Sequence, residues 1–178
     1  PAAPSGAPPA GPATGPPKWV LAAIVAVALV ALFWPRGERI SLAPQREPVD
    51  AAGARVALAE RFAPVTLLHF WATWCAPCVT EIPALRALAA DFAGESDFAL
   101  VLVAVQDDPR KAAEFLGGLA PTNLYDPTWE VANGWGTSKL PETYLLVNGE
   151  VAEKFEGATE WGRADLRARL RAALAAAR

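Results

Sequence analysis

Apolar positions recur along this chain at different spacings, and each spacing predicts a different element. Val65 to Trp71 is a short apolar run of strand length, and Phe98 to Val105 is a continuous one, as a central strand buried on both faces requires. Between them, from Pro77 to about Phe92, Ile82, Leu85, Leu88, Ala89 and Phe92 fall at helical spacing. A second helix is predicted from Pro109 to about Leu119, with Asp107 or Asp108 as its cap and Pro109 in its first position. Thr128 to Trp135 reads as a short helix. Glu142 to Val147 and Val151 to Phe155 read as a hairpin about Asn148-Gly149, the pair preferred in a type I′ turn. Glu160 to Ala177 closes the chain as a helix with Trp161, Leu166, Leu170 and Leu174 on one face. The order β-α-β-α-β-β-α gives an α/β fold, a mixed sheet covered by helices.

The pattern before Val65 is different. Residues Pro1 to Pro17 are almost entirely Pro, Ala and Gly, which offers no core, so residues 1–17 are expected to be a disordered tail. Trp19 to Trp34 follows, sixteen residues without a charge, with Lys18 before it and Pro35 and Arg36 after it. Tryptophan favours the membrane–water interface, and Pro35 stops a helix. As a helix this segment spans about 24 Å against a hydrocarbon core of about 30 Å, short but workable with local thinning. A buried core helix and the apolar region of a cleaved signal peptide are the competing readings. Nothing apolar precedes the segment, and Arg36-Gly37-Glu38 offers no small-residue cleavage site. The expectation is therefore an uncleaved transmembrane anchor over 18–35, a linker over 36–54 and a folded domain over 55–178. Lys18 on one side and Arg36, Arg39 and Arg46 on the other leave orientation undecided by charge.

Composition narrows the function. Hydrophobic residues make up 53% of the 178, charged residues 20%, and the net charge is −3, so no basic stripe is available for nucleic acid. Only two cysteines occur, three positions apart, whereas a disulfide-stapled fold uses more at wider spacing.

Those cysteines, in Cys75-Ala76-Pro77-Cys78, stand where the first strand ends and the first helix opens. Free N–H groups and the macrodipole at a helix N-terminus favour an anion, and the thiolate is the reactive form of cysteine, so the position activates Cys75. One helical turn then sets Cys78 beside it and less exposed. Cys75 can attack a substrate disulfide and Cys78 can resolve the mixed disulfide. Pro77 lies in the first turn, where its missing N–H costs little. Half of a zinc site is a competing reading, although the chain supplies only two Cys and one His toward four ligands. An inert buried pair is another, although a strand-to-helix junction is an exposed place for one.

The stretch Phe70-Trp71-Ala72-Thr73-Trp74-Cys75-Ala76-Pro77-Cys78 resembles the active-site motif of thioredoxin-like proteins, and most closely that of the TlpA/ResA/CcmG branch of tethered extracytoplasmic reductases. Pro83 resembles the helix-kinking proline of that fold, and Glu81 the acidic residue of the branch that lies near the cysteines. Leu140-Pro141-Glu142-Thr143 resembles the loop whose cis proline faces the cysteine pair, which implies a cis Leu140–Pro141 bond. The resemblance covers roughly residues 45 to 175. His69, the only histidine, departs from the family's Asp or Asn and should point to the opposite face from Phe70. Either His69 or Glu81 is a candidate relay for the Cys78 proton. Against this, His69 reads as a packed residue bonded to a backbone carbonyl, and Glu81 as a solvated acid favouring the early helix turn. Trp71 is expected in the core, Trp74 on the substrate surface with Ala76, Pro77, Leu140 and Pro141, and Trp129 and Trp135 simply packed.

The resemblance implies a thiol–disulfide oxidoreductase that needs no cofactor, acts as a monomer on protein disulfides and is recharged by a membrane donor of the DsbD or CcdA type. It implies a single-pass protein of the bacterial cytoplasmic membrane with its catalytic domain on the periplasmic side, and apocytochrome c as one substrate. A DsbA-like oxidant and a tethered binding module with structural cysteines remain open as alternatives.

Overall fold

A computed structural model describes residues 47–118 and 123–178, together with Val20. The chain divides into two units, residues 1–36 and 37–178. Within the first only Val20, which is helical, is described. The tail over 1–17, the anchor over 18–35 apart from Val20, and the linker up to residue 46 lie outside the described residues. Among the described residues no helix is long and apolar enough to cross a membrane.

In the second unit a short 3₁₀ turn, Leu58–Arg61, leads into β1 (Val65–Trp71), α1 (Ala76–Ala90), β2 (Phe98–Val105), α2 (Pro109–Phe115), β3 (Asn123–Asp126), α3 (Glu130–Gly134), β4 (Glu142–Val147), β5 (Glu150–Glu156) and α4 (Ala164–Ala177). The strands form one mixed sheet in the order β3-β2-β1-β4-β5. β1 runs parallel to β2, with Val65 beside Phe98, and antiparallel to β4, with His69 beside Thr143. β3 is the strand the apolar pattern missed. Its four residues Asn-Leu-Tyr-Asp are polar at both ends, too short for a periodic signal, yet all are buried at the sheet edge. Val49, in the stretch expected to be linker, covers that edge: its N–H donates to the Tyr125 carbonyl at 2.9 Å and its own carbonyl accepts from the Tyr125 N–H at 2.8 Å.

Period-two alternation divides the sheet residues between two cores. On one face Leu67 and Trp71 of β1 and Leu102 and Ala104 of β2 meet Ile82, Leu85 and Leu88 of α1 and Leu166, Leu170 and Leu174 of α4. On the other, Leu68, Phe70, Val101 and Val103 meet Val131 and Trp135 at α3. β1 is buried along its whole length, which is why its sequence reads as an uninterrupted apolar run. The terminal helix starts at Ala164, later than the sequence pattern suggests, so Trp161 packs from the turn before it. Asn148 and Gly149 turn the β4–β5 hairpin with φ of 51° and 80°, the pair of positive values a type I′ turn demands.

Candidate active site

Cys75 is the N-cap of α1, with extended φ −90° and ψ 98°, and its sulfur accepts the Cys78 N–H at 3.3 Å. Pro77 occupies the first turn, and the helix runs on through Pro83. Cys75 and Cys78 are joined as a disulfide with Cα atoms 5.3 Å apart. Cys75 retains 6% of its surface and Cys78 none, so an incoming group reaches Cys75 first. Trp74, Ala76 and Pro77 are exposed around it. Leu140–Pro141 is a cis peptide bond, and Leu140 packs against the core cluster that holds both cysteines.

A buried polar chain lies on the inner side. Cys78, Glu81, Ile82, Leu85 and Leu88 are the buried positions of α1, so Glu81 follows Cys78 by one turn on the same face. His69 projects from β1 toward that helix: its Nε2 faces Glu81 Oε1 at 3.7 Å, while Phe70 belongs to the opposite core, as strand alternation requires. His69 Nδ1 is bonded to the Thr143 hydroxyl at 2.8 Å, so its partner is a side chain and not the backbone carbonyl that simple packing suggests. The other Glu81 oxygen accepts the Thr159 N–H at 2.7 Å and the Trp161 indole N–H at 3.0 Å, and the residue is only 5% exposed, so it is not the solvated surface acid of the simpler reading. Burial pulls His69 down to a pKa of about 3. Burial likewise pushes Glu81 above the usual carboxylate range, against the opposing pull of its Thr159 and Trp161 bonds. His69 Nε2 and Glu81 Oε1 have no hydrogen-bond partner and face one another across a gap too long for a direct bond.

The outer wall is held differently. Asp107 Oδ1 accepts from the Thr73 hydroxyl at 2.7 Å and Oδ2 from the Thr73 N–H at 2.5 Å, while Asp108 caps α2 by accepting from the Arg110 N–H at 2.8 Å. The Trp74 indole N–H donates to the Gln106 carbonyl at 3.0 Å. The Trp129 ring lies against Trp74 with centroids 6.3 Å apart and planes at 30°, a contact that simple packing of Trp129 did not foresee. Trp71 is fully buried, its ring on Phe115. Beside the cis proline, Glu142 is buried and paired with Lys154 at 3.0 Å. Burial alone lowers the Lys154 pKa, but its bonds to Glu142 and Glu156 outweigh that and hold it above the ordinary lysine range.

Thr143, Thr159, Trp161, Asp107 and Gln106 thus belong to the site although none of them is among the predicted site residues. Thr143 sits inside the quoted Leu140–Thr143 motif, and Asp107 sits beside the cap, so both were signalled by position. The partners of Glu81 lie about eighty residues away and left no local trace. Among the described residues no three His, Cys, Asp or Glu side chains are grouped as a metal site would need.

A two-cysteine helix cap together with a cis proline, on a mixed sheet flanked by helices, defines a thioredoxin-fold protein with a dithiol–disulfide site. The chain belongs to the Redoxin family, whose model matches residues 40–170. It is 36% identical over 99 residues to the thiol:disulfide interchange protein CycY of Rhizobium leguminosarum bv. viciae, covering 52% of this chain and 50% of that one. It is 32% identical over 95 residues to the thiol-disulfide oxidoreductase ResA of Oceanobacillus iheyensis, covering 52% and 49%. The chain thus spans about half the length of these curated relatives. A secreted thiol-disulfide isomerase from Corynebacterium glutamicum shares the fold, with TM-score 0.61 and 22% identity over 73% of this chain and 84% of that one.

Proposed function

We propose that this protein is a thiol–disulfide reductase tethered to a bacterial cytoplasmic membrane by residues 18–35, with its folded unit on the periplasmic side. One observation carries the reaction: Cys75 caps a helix at the surface while its disulfide partner Cys78 is wholly enclosed. In the reduced protein the Cys75 thiolate attacks one sulfur of a partner's disulfide. A Cys75–substrate S–S bond forms, the substrate S–S bond breaks, and the other substrate sulfur leaves as a thiolate that takes up a proton. Cys78 loses its proton and attacks the Cys75 sulfur. The Cys75–Cys78 bond forms and the second substrate thiol departs, so two electrons pass from the protein to the substrate.

Glu81 is the better base for the Cys78 proton. It lies one turn along the same buried face, and burial raises its proton affinity. His69 is so strongly held neutral that its part is to position Glu81, with Thr143 fixing its ring. Leu140 and Pro141 align the substrate backbone as an added strand, and Trp74, Ala76 and Pro77 complete the contact surface. A DsbD- or CcdA-type membrane protein restores the dithiol, the chain works as a monomer, and apocytochrome c is one substrate.

The test is the equilibrium reduction potential of the Cys75/Cys78 pair in the full chain, titrated against glutathione and dithiothreitol buffers. A value near that of thioredoxin, about −270 mV, supports a reductase, and one near DsbA, about −120 mV, makes the protein an oxidant and sinks the cytochrome reading. A reporter fused after Arg178 that is active only outside the cytoplasm supports the topology, and cytoplasmic activity overturns it.

A further inference from the structure

Trp74 immediately precedes Cys75, and Trp129, half-buried against the second core cluster, reaches out to meet it. Trp74 is 56% exposed, and its neighbour Trp129 lies tilted against it, ring centroids 6.3 Å apart. Each indole N–H is spent on a backbone carbonyl, Trp74 on Gln106 at 3.0 Å and Trp129 on Thr137 at 3.3 Å. The polar edges are therefore occupied and the rings are held, so what Trp74 offers a ligand is ring face, with the half-buried Trp129 beside it.

The backbone is bent to place them. Among the described residues only Gln106, Trp129 and Asn148 take positive φ without being glycine. Asn148 is explained by its hairpin turn. The other two are Trp129 itself, at φ 66° and ψ 6°, and Gln106, whose carbonyl pins Trp74. A bulky residue in the left-handed region is disfavoured, and such strain persists where the surrounding structure enforces it.

Charge points to the occupant. The segments carrying and pinning the rings, residues 72–77, 106–108, 126–130 and 136–138, hold Asp107, Asp108, Glu130 and the buried Asp126, which accepts the Ala132 N–H, and no lysine or arginine; Arg110, Lys111 and Lys139 come next, Lys139 paired with Glu156. Aromatic faces are negative, so ring faces and carboxylates favour the same kind of ligand, and a guanidinium stacks on tryptophan more readily than an ammonium. The surface is continuous with the exchange site, because any disulfide brought to Cys75 carries its neighbouring residues across Trp74.

We propose that Trp74 and Trp129 form a docking shelf for an arginine adjoining the target cysteine of the partner polypeptide, so that the protein selects disulfides with a basic flank. This rests on the exchange reaction proposed above. The test uses the full chain, reduced and freed of reductant, with three peptides that each carry one disulfide and differ only in the residue next to a cysteine, Arg, Phe or Asp. Rates of disulfide loss are followed by acid quench and mass spectrometry. The Arg peptide is expected to react roughly tenfold faster than the Asp peptide and faster than the Phe peptide, with an advantage over Asp that shrinks as salt rises. In Trp129→Gly, where glycine takes the left-handed backbone without strain, the Arg-to-Asp ratio is expected to fall by about threefold. Equal rates for the three peptides, a Phe peptide that reacts fastest, or an unchanged ratio in Trp129→Gly would overturn the shelf while leaving the exchange reaction standing. No exchange with any peptide would sink the exchange reading and the shelf with it.

Discussion

Around Cys75 the exposed residues Trp74, Ala76 and Pro77 meet solvent, and the polar bonds that shape this wall, from Thr73 to Asp107 and from Trp74 to Gln106, tie two loops together at the surface. Around Cys78, one helical turn away, the polar groups line up from Thr143 through His69 and, across a 3.7 Å gap, Glu81 to Trp161, all buried. The outer wall holds its shape while leaving a sulfur reachable. The inner wall keeps two titratable groups away from water, where burial dominates their proton affinity. A single turn of helix is enough to place two chemically identical side chains in surroundings of such different polarity, and a thiol exchanger needs that difference: one sulfur to meet a partner, another to release it.

The largest effect expected from testing this contrast is at the cysteines. In Cys78→Ser turnover should fall by roughly a thousandfold or more, because nothing inside the protein can resolve the mixed disulfide, and a covalent adduct with a disulfide peptide should accumulate in the mass spectrum. Cys75→Ser should form no such adduct. If Cys75→Ser were the variant that captures the peptide, the inner and outer roles would be reversed.

Next come the two buried titratable groups, which should tilt stability in opposite directions. His69 is depressed from 6.5 to about 3 by desolvation. Between those values the unfolded chain binds a proton that the native chain refuses, so this group's contribution falls as the pH drops. Glu81 is raised above 4.5, first by burial, so above 4.5 the native chain keeps a proton that the unfolded chain releases, and that contribution is lost as the pH rises through the raised value. Relative to the native chain, His69→Asn should therefore gain stability as the pH falls from 6.5 to 4.5, and Glu81→Gln should lose it as the pH falls toward 4.5, neither by more than about 1.4 kcal/mol per pH unit. Urea midpoints across that window measure the tilt. Parallel slopes in all three proteins would mean that neither group is shielded and that the inner wall is wetter than its burial implies.

Thr143 sharpens the same point. Thr143→Val keeps the shape but removes the oxygen bonded to His69 Nδ1, leaving a buried ring nitrogen without a partner. A loss of about 1–3 kcal/mol in unfolding free energy is expected. A neutral result would show that His69 finds another partner, so that the link between the cis-proline strand and the helix is dispensable.

What the sequence revealed follows the range of the interactions involved. β1 and β2 are legible residue for residue because strands buried in a sheet write themselves as apolar runs, and β4 because Asn148-Gly149 marks the hairpin it opens. The Cys75 cap was legible because it is local, set by the residues between two cysteines. β3 was hidden because four residues with Asn and Asp at the ends carry no period, and its pairing to β2 is supplied by the rest of the sheet. His69 could be placed on its face by alternation alone, but its partners Thr143 and Glu81 are brought together only by the register of β1 with β4 and the packing of α1 over the sheet. Trp161 falls within the predicted last helix because Leu166, Leu170 and Leu174 continue its spacing; its indole instead serves Glu81 from the turn before the helix.

The smallest effect belongs to the outer wall, where water competes. Asp107 is half-buried and accepts three times: from the Thr73 N–H, from the Thr73 hydroxyl at 2.7 Å and from the Asp108 N–H at 2.8 Å. Asp107→Asn keeps the volume but replaces one accepting oxygen by an NH₂ that can only donate, so one of these donors must turn to solvent. Solvent is close at hand there, and a loss of only about 1 kcal/mol is expected in the urea midpoint analysis. The local consequence should be clearer than the global one. The Thr73 amide, two residues before Cys75, should exchange with deuterium roughly tenfold faster than in the native chain, while amides of β1 within the core keep their rates. If the Thr73 amide is unaffected, the loop before Cys75 is held by the Trp74–Gln106 bond and the helix it leads into, and Asp107 matters only as a charge beside the tryptophans.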